Sequence, residues 1–140
     1  MNIQASNVDR IIFYGSLMSP FDTLEQLGLL EEVSCLGECR IPGRLYDLGE
    51  YPALLPAQSD SDRVSAELFR LNGPRALQIL DAFEDYLPEN EEESLYLRQL
   101  VSPEGHDQVA WVYLYNKPVV ESKLILCGSW TDYLAQKSKT

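Results

Sequence analysis

The chain has 140 residues, 45% hydrophobic and 24% charged, which suits one globular domain with a proper core and excludes a disordered tract. Its formal net charge of −11 argues against nucleic acid and anionic membranes as partners, since both need Lys and Arg to neutralise phosphate. No run approaches the roughly 18 apolar residues of a membrane span, and the stretch from Met1 to Arg10 has neither the basic nor the apolar region of a secretion signal.

In chain order, residues 1–9 read as a loose end. Arg10-Ile11-Ile12-Phe13-Tyr14 is a short apolar and aromatic run, expected to be a buried strand that stops at Gly15-Ser16. A helical pattern follows from Phe21 to Leu30. A strand feeding a Gly-Ser turn leaves successive backbone N–H groups unpaired, a nest suited to a carboxylate or phosphate, although many such turns are only turns. Val33 to Leu48 alternates as strands with a bend at Pro42-Gly43. Gly43 to Leu54 reads as a strand entering a tight loop, with Tyr46 and Tyr51 either lining a cavity or packing in the core. Gln58 to Arg63 is a polar excursion, and Val64 to Leu71 is a strand with Val64, Ala66, Leu68 and Leu71 facing inward.

Gly73 to Tyr86 is the most informative stretch. Asn72 or Gly73 serves as N-cap and Pro74 suits the first turn, where its missing N–H is no loss. At about 100° per residue, Ala76, Leu77, Ile79, Leu80 and Phe83 share one apolar face. Glu84 falls on or beside that face, while Asp81 and Asp85 lie toward the polar side. A carboxylate aimed at a core is costly unless paired or protonated, and burial raises its pKa toward the range useful for proton transfer. The helix is expected to end near Tyr86-Leu87, because Pro88 disfavours helix at the residue before it.

Glu89 to Glu93 is a charge run of the kind found in solvated loops. Tyr96 to Val101 and Val109 to Tyr115 form a hairpin about the turn at Gly105, the second strand carrying the strongest β signal of the chain. Arg98 either anchors a substrate carboxylate or pairs with Asp81, Asp85 or the acidic loop, with the structural pairing favoured. Tyr96 and Tyr113 point to a cavity or to the core. Ser129 to Leu134 is a short final helix, and residues 136–140 read as loose.

Ser16 has no hydrolase context. The surroundings are not Gly-x-Ser-x-Gly, and the one histidine, His106, lies in a polar turn. One histidine and scattered thiols do not make a metal site, and no cofactor is expected. Cys35, Cys39 and Cys127 are odd in number without zinc-type spacing, so reduced thiols in a cytoplasmic protein are expected. Strands outnumber helices and do not alternate with them, which favours an α+β domain on a twisted or closed sheet.

Three motifs occur in order: Phe13-Tyr14-Gly15-Ser16-Leu17, then Gly43 to Leu54, then Leu80-Asp81-Ala82-Phe83-Glu84-Asp85-Tyr86 followed by Tyr96-Leu97-Arg98. Together with Ser129 to Tyr133, this series resembles the γ-glutamylcyclotransferase-like family over most of the chain. The resemblance implies one domain over 1–140, built as a small mixed β-barrel with flanking helices. It implies a Tyr14-Gly15-Ser16-Leu17 loop that binds substrate and Glu84 as general acid/base. It further implies release of 5-oxoproline from a small γ-glutamyl compound; separately, a monomer is expected. Ala66 stands where the family pattern has glycine, which is expected to narrow the cavity, and Glu121-Ser122-Lys123 offers no tyrosine ahead of the last helix. The alternatives are a non-catalytic small-molecule-binding domain and an acidic interaction domain on the same fold.

Overall fold

The computed structural model describes residues 8–138; residues 1–7 and 139–140, parts of the two stretches expected to be loose, lie outside the described residues. The strands are β1 (Arg10–Phe13), β2 (Val33–Pro42), β3 (Arg44–Asp47), β4 (Pro52–Leu55), β5 (Arg63–Leu71), β6 (Tyr96–Val101) and β7 (Ala110–Tyr115). The helices are α1 (Thr23–Gln26), α2 (Pro74–Phe83) and α3 (Trp130–Ser138).

Five strands form one sheet in the order β2-β5-β1-β7-β6, and β3 with β4 forms a separate hairpin. β1 lies at the centre, antiparallel to β5 and parallel to β7. Its Ile11, Ile12 and Phe13 are all buried, as expected of a strand covered on both faces. Fully burying each such side chain contributes about 1.5–3 kcal/mol. β5 alternates Val64, Ala66 and Leu68 into the core, and Phe69 and Leu71 are buried as well. β2 runs beside β5 with a bulge between Cys35 and Gly37 that leaves Leu36 exposed.

The α+β class agrees with the sequence expectation, but the main-chain ladders do not close into a barrel among the described residues. β4 lies along β7 without a ladder between them. Tyr14 Oη donates to the carbonyl of Tyr113 on β7 at 2.6 Å. Tyr96 Oη donates to the carbonyl of Pro52 at 2.8 Å. Pro52 has no N–H of its own to offer a neighbouring strand.

Three boundaries differ from the sequence reading. The helix expected from Phe21 to Leu30 shrinks to one turn, because Gly28 takes a left-handed φ of 71° and caps it. The helix expected to reach Tyr86 stops at Phe83 with Glu84 as its C-cap. The last helix runs on to Ser138, so residues 136–138 are helical rather than loose. Lys137 there reaches Asp47 at 3.4 Å.

Candidate active site

A cavity of about 200 Å³ opens where β1, the β3–β4 hairpin, the end of α2 and the β6–β7 hairpin meet. It is lined by residues 12–17, Tyr51, Pro52, Phe83, Glu84, Asp85, Leu95, Tyr96 and Tyr113. That size is below the roughly 300–1,000 Å³ of sites for drug-sized ligands and suits a small amino-acid derivative. All five residues that the family resemblance singled out, Tyr14, Gly15, Ser16, Leu17 and Glu84, fall on its wall. Tyr51 lines it too, whereas Tyr46 is buried elsewhere and donates to Glu121 at 3.1 Å. Ala66 does not line it. Its side chain is buried beside the Cys39 pairing of β2 and β5, so the expected narrowing does not occur.

The loop after β1 turns tightly, with Met18 N–H donating to Gly15 O at 3.1 Å. The N–H groups of Gly15, Ser16 and Leu17 find no partner among the described residues, which leaves them free for an anion. Gly15 is required for this shape. A Cβ there would sit 2.8 Å from Cδ and Cγ of the Pro52 ring. The glycine therefore lets the loop pack on the first residue of β4, whose carbonyl holds Tyr96.

Tyr14 lines the cavity with its ring, and its hydroxyl is engaged by the Tyr113 carbonyl of β7. Burial, with Tyr96 and Glu84 nearby, pushes its pKa well above the ordinary tyrosine value. Tyr113 donates to Asp81 Oδ1 at 2.6 Å, and burial together with that bond raises its pKa too. Burial likewise raises Tyr96. The three phenols are neutral, committed donors and not proton shuttles.

Glu84 is the opposite case. Its carboxyl has no hydrogen-bond or ion-pair partner among the described residues, and burial pushes its pKa up to about 8, with the charge of Asp85 adding to the effect. The end of α2 acts in the same direction, since a helix C-terminus disfavours negative charge. The helix stops there in a Schellman arrangement. Tyr86 N–H donates to Asp81 O at 2.9 Å and Asp85 N–H to Ala82 O at 3.2 Å. Glu84 is thus directed by a chain reversal rather than by the middle of a helical face.

Behind it, Arg98 makes a two-pronged contact with Asp81, Nε to Oδ1 at 2.9 Å and Nη2 to Oδ2 at 3.2 Å. Its guanidinium lies over Trp111 and Tyr86, with the carbon 4.3 and 5.4 Å from the ring centroids. Arg98 is therefore structural, and it is absent from the cavity wall. Asp81 supports Tyr113 and ties α2 to the β6–β7 hairpin. Sequence reasoning missed Ser94, fully buried, whose Oγ accepts from Leu87 N–H at 2.7 Å and fastens the acidic segment that follows Glu84. A lone serine after a glutamate run carries no signal of that. His106 lies in the β6–β7 connection and does not line the cavity. Among the described residues no group of three or more His, Cys, Asp or Glu side chains is placed to hold a metal ion.

A carboxyl raised toward mid-range and a row of free N–H groups share one cavity wall, an arrangement suited to proton transfer beside an anion. The sequence model for gamma-glutamyl cyclotransferase, AIG2-like proteins matches residues 11–132, and the chain belongs to that family. It is 34% identical over 125 residues to the Gamma-glutamylcyclotransferase family protein YtfP of Escherichia coli strain K12, a match spanning 88% of this chain and 96% of that one. Its fold is similar to that of protein PH0828 from Pyrococcus horikoshii, at 17% identity and a TM-score of 0.68, over 94% of this chain and 97% of the other. An AIG2-like protein from Mus musculus gives a TM-score of 0.62 at 21% identity, over 81% and 80% of the two chains. These two structures speak for the fold alone.

Proposed function

We propose that the protein is a γ-glutamyl cyclotransferase, which closes a γ-glutamyl group to 5-oxoproline and releases an amine. The observation that carries this reading is the unpartnered Glu84, raised to about 8 by burial, in the wall of a cavity shared with the free N–H groups of the Gly15 to Leu17 loop. Family membership supports the same reaction class.

The chemistry is intramolecular. The α-amine attacks the side-chain carbonyl carbon, a new C–N bond closes the five-membered lactam, and the original amide C–N bond breaks. The attacking nitrogen must lose a proton and the departing nitrogen must gain one, so a single carboxyl can take the first and return it to the second. No water is consumed. A pKa near 8 keeps Glu84 able to act in both directions near neutral pH. Holding the two ends of the glutamyl group together supplies much of the rate, because well-oriented intramolecular reactions gain on the order of 7–11 kcal/mol. The substrate α-carboxylate, or the oxyanion formed during attack, takes the N–H groups of Gly15, Ser16 and Leu17. The apolar wall of Ile12, Phe13, Leu17 and Leu95 excludes water from the reacting atoms. The three cysteines are all unpaired, in keeping with a reducing compartment such as the cytoplasm.

The test is to incubate the protein with a panel of γ-glutamyl compounds and assay 5-oxoproline, with Glu84→Gln beside the wild type. The wild type is expected to form the lactam, and the variant to fold and bind but not turn over. Retained turnover by a folded Glu84→Gln protein sinks the assignment.

A further inference from the structure

Glu84 has no hydrogen-bond donor in a cavity that contains three phenol hydroxyls. Tyr14, Tyr96 and Tyr113 all line the same wall. Burial is the chief reason that their pKa values are raised, and in each the charge of Glu84 adds to it, so all three lie within its electrostatic reach. A phenol has one proton to donate. Tyr14 gives its proton to the Tyr113 carbonyl at 2.6 Å, and Tyr96 gives its own to the Pro52 carbonyl at 2.8 Å. Those two acceptors are main chain and are set by the fold. The Tyr113 proton goes to Asp81 Oδ1 at 2.6 Å, so it alone of the three depends on a side chain. Ser16 and Tyr51, the other hydroxyls of the wall, make no bond to Glu84 among the described residues.

Asp81 sits three residues before Glu84, on the neighbouring turn and the same side of the helix. Its carboxylate also holds Arg98 through both oxygens, at 2.9 and 3.2 Å, with each of the two side chains 15% exposed. The charge of Arg98 is offset there. Asp85 is then the one charged group that acts on Glu84, and it raises the pKa rather than lowering it. The backbone around Glu84 is fixed as well. Its N–H donates to Leu80 O at 2.9 Å, and Asp85 after it takes a left-handed φ of 55°, the one positive φ among the described non-glycine residues. That conformation costs a residue with a side chain and not glycine. It is held by Asp85 N–H on Ala82 O and by Leu95 N–H on the Asp85 carbonyl at 3.0 Å.

Without Asp81, the Tyr113 proton loses its acceptor in a desolvated cavity, and the unpartnered carboxyl within its reach is Glu84. A hydrogen bond to the charged form favours that form and pulls the Glu84 pKa down. We infer that Asp81 is a positioning residue for the reaction: by taking the Tyr113 proton it denies Glu84 a donor and leaves Glu84 free to carry the substrate's proton. This rests on the cyclotransferase reading above and adds to it the residue that keeps the acid/base in its working state.

The test follows the Glu84 midpoint by carbon-detected NMR of labelled side-chain carboxyls, beside the pH dependence of kcat/KM for 5-oxoproline formation from γ-glutamyl compounds. The wild type is expected near 8 in both. In Asp81→Ala, which leaves no acceptor, both are expected to fall by at least about one pH unit. Asp81→Asn keeps the shape of the side chain but is a weaker acceptor than a carboxylate. It shifts both in the same direction by less, and it covers the case in which the alanine variant does not fold. Adding Tyr113→Phe to either variant removes the freed proton and returns most of the shift. Asp47→Ala removes a structural carboxylate outside the cavity wall, and is expected to lose stability with the Glu84 midpoint in place. A Glu84 midpoint unmoved in the folded Asp81 variants overturns the inference. So does a fall that survives Tyr113→Phe, since the uncovered charge of Arg98 then accounts for it. An equal fall in Asp47→Ala also overturns it, because any loosening of the fold then suffices. Should the wild type release no 5-oxoproline, the reaction reading falls, and the NMR midpoints alone decide whether Asp81 withholds the Tyr113 proton from Glu84.

Discussion

Asp47 and Glu84 are two carboxyls of similar chemistry held in opposite states by their surroundings. Asp47 ends β3, buried, where Tyr133 Oη donates to it at 2.5 Å, Gly49 N–H at 2.7 Å and Lys137 Nζ at 3.4 Å. Burial alone would raise its pKa, but these donors outweigh it and hold the carboxyl below its usual value. Glu84 ends α2 with no such donors, and burial pushes it up to about 8. The first carboxyl is spent on structure, clamping α3 to the β3–β4 hairpin that supplies Tyr51 and Pro52 to the cavity. The second is left costly and unpaired, and that makes it available for chemistry. Desolvation acts on both; the count of donors separates them.

Removing each carboxyl in turn breaks the comparison most sharply. Glu84→Gln is expected to lower 5-oxoproline formation by about 10²–10⁴-fold, the usual worth of a positioned proton-transfer group, with circular dichroism unchanged. The same variant should be more stable than the wild type in urea. A raised acid pKa costs nothing below about 4.5, where both folded and unfolded states are protonated, and its cost grows as pH rises toward 8. The gain for Glu84→Gln should therefore be absent at low pH and reach about 2–4 kcal/mol near neutrality.

Asp47→Ala has the opposite sign. It leaves Tyr133 and the Gly49 N–H without their acceptor and should cost about 2–4 kcal/mol by urea denaturation. Because the folded pKa of Asp47 is lowered, its contribution is present above the ordinary aspartate range and is lost as pH falls through the folded value. The difference between wild type and Asp47→Ala should accordingly shrink in acid.

Activity offers a subtler contrast. If Glu84 must be ionised to accept the first proton, kcat/KM should rise about tenfold per pH unit below a limb near 8 and level off above it. Asp85→Asn should move that limb downward, since the Asp85 charge is one of the two causes of the shift. The smallest effect belongs to the cap itself. Asp85→Gly relieves the left-handed strain and should stabilise the fold by about 0.5–1 kcal/mol, read from the shift of the urea midpoint.

Much of this was legible in the chain, for physical reasons. Strand periods along Val64 to Leu71 and Tyr96 to Val101 are strong enough to survive without tertiary context, and both strands form close to where they were expected. Glu84 drew attention because helical periodicity set a carboxylate beside Leu77 and Leu80. Glu84 does line the cavity, but the geometric reason changed, since the helix stops at Phe83, three residues short of Tyr86, and a reversal aims the side chain. Helix ends are decided by capping geometry, and a left-handed aspartate is not the residue that signals one. Gly28 is the local signal that ends the first helix. The Asp47 clamp was out of reach, because its partners Tyr133 and Lys137 lie 86 and 90 residues away and nothing local pairs them. The bond from Tyr14 to the Tyr113 carbonyl was equally hidden, since a tyrosine beside a glycine turn reads the same whether its hydroxyl faces a substrate or a neighbouring strand.

The central claim is that Glu84 is kept neutral through much of the physiological range by burial without partners. The direct measurement is a carbon-detected NMR titration of the protein with its glutamate and aspartate side-chain carboxyls labelled, assigned by Glu84→Gln and Asp47→Asn. The account predicts a Glu84 midpoint near 8 and an Asp47 midpoint below the ordinary aspartate value. A Glu84 midpoint in the ordinary glutamate range, near 4.5, contradicts it.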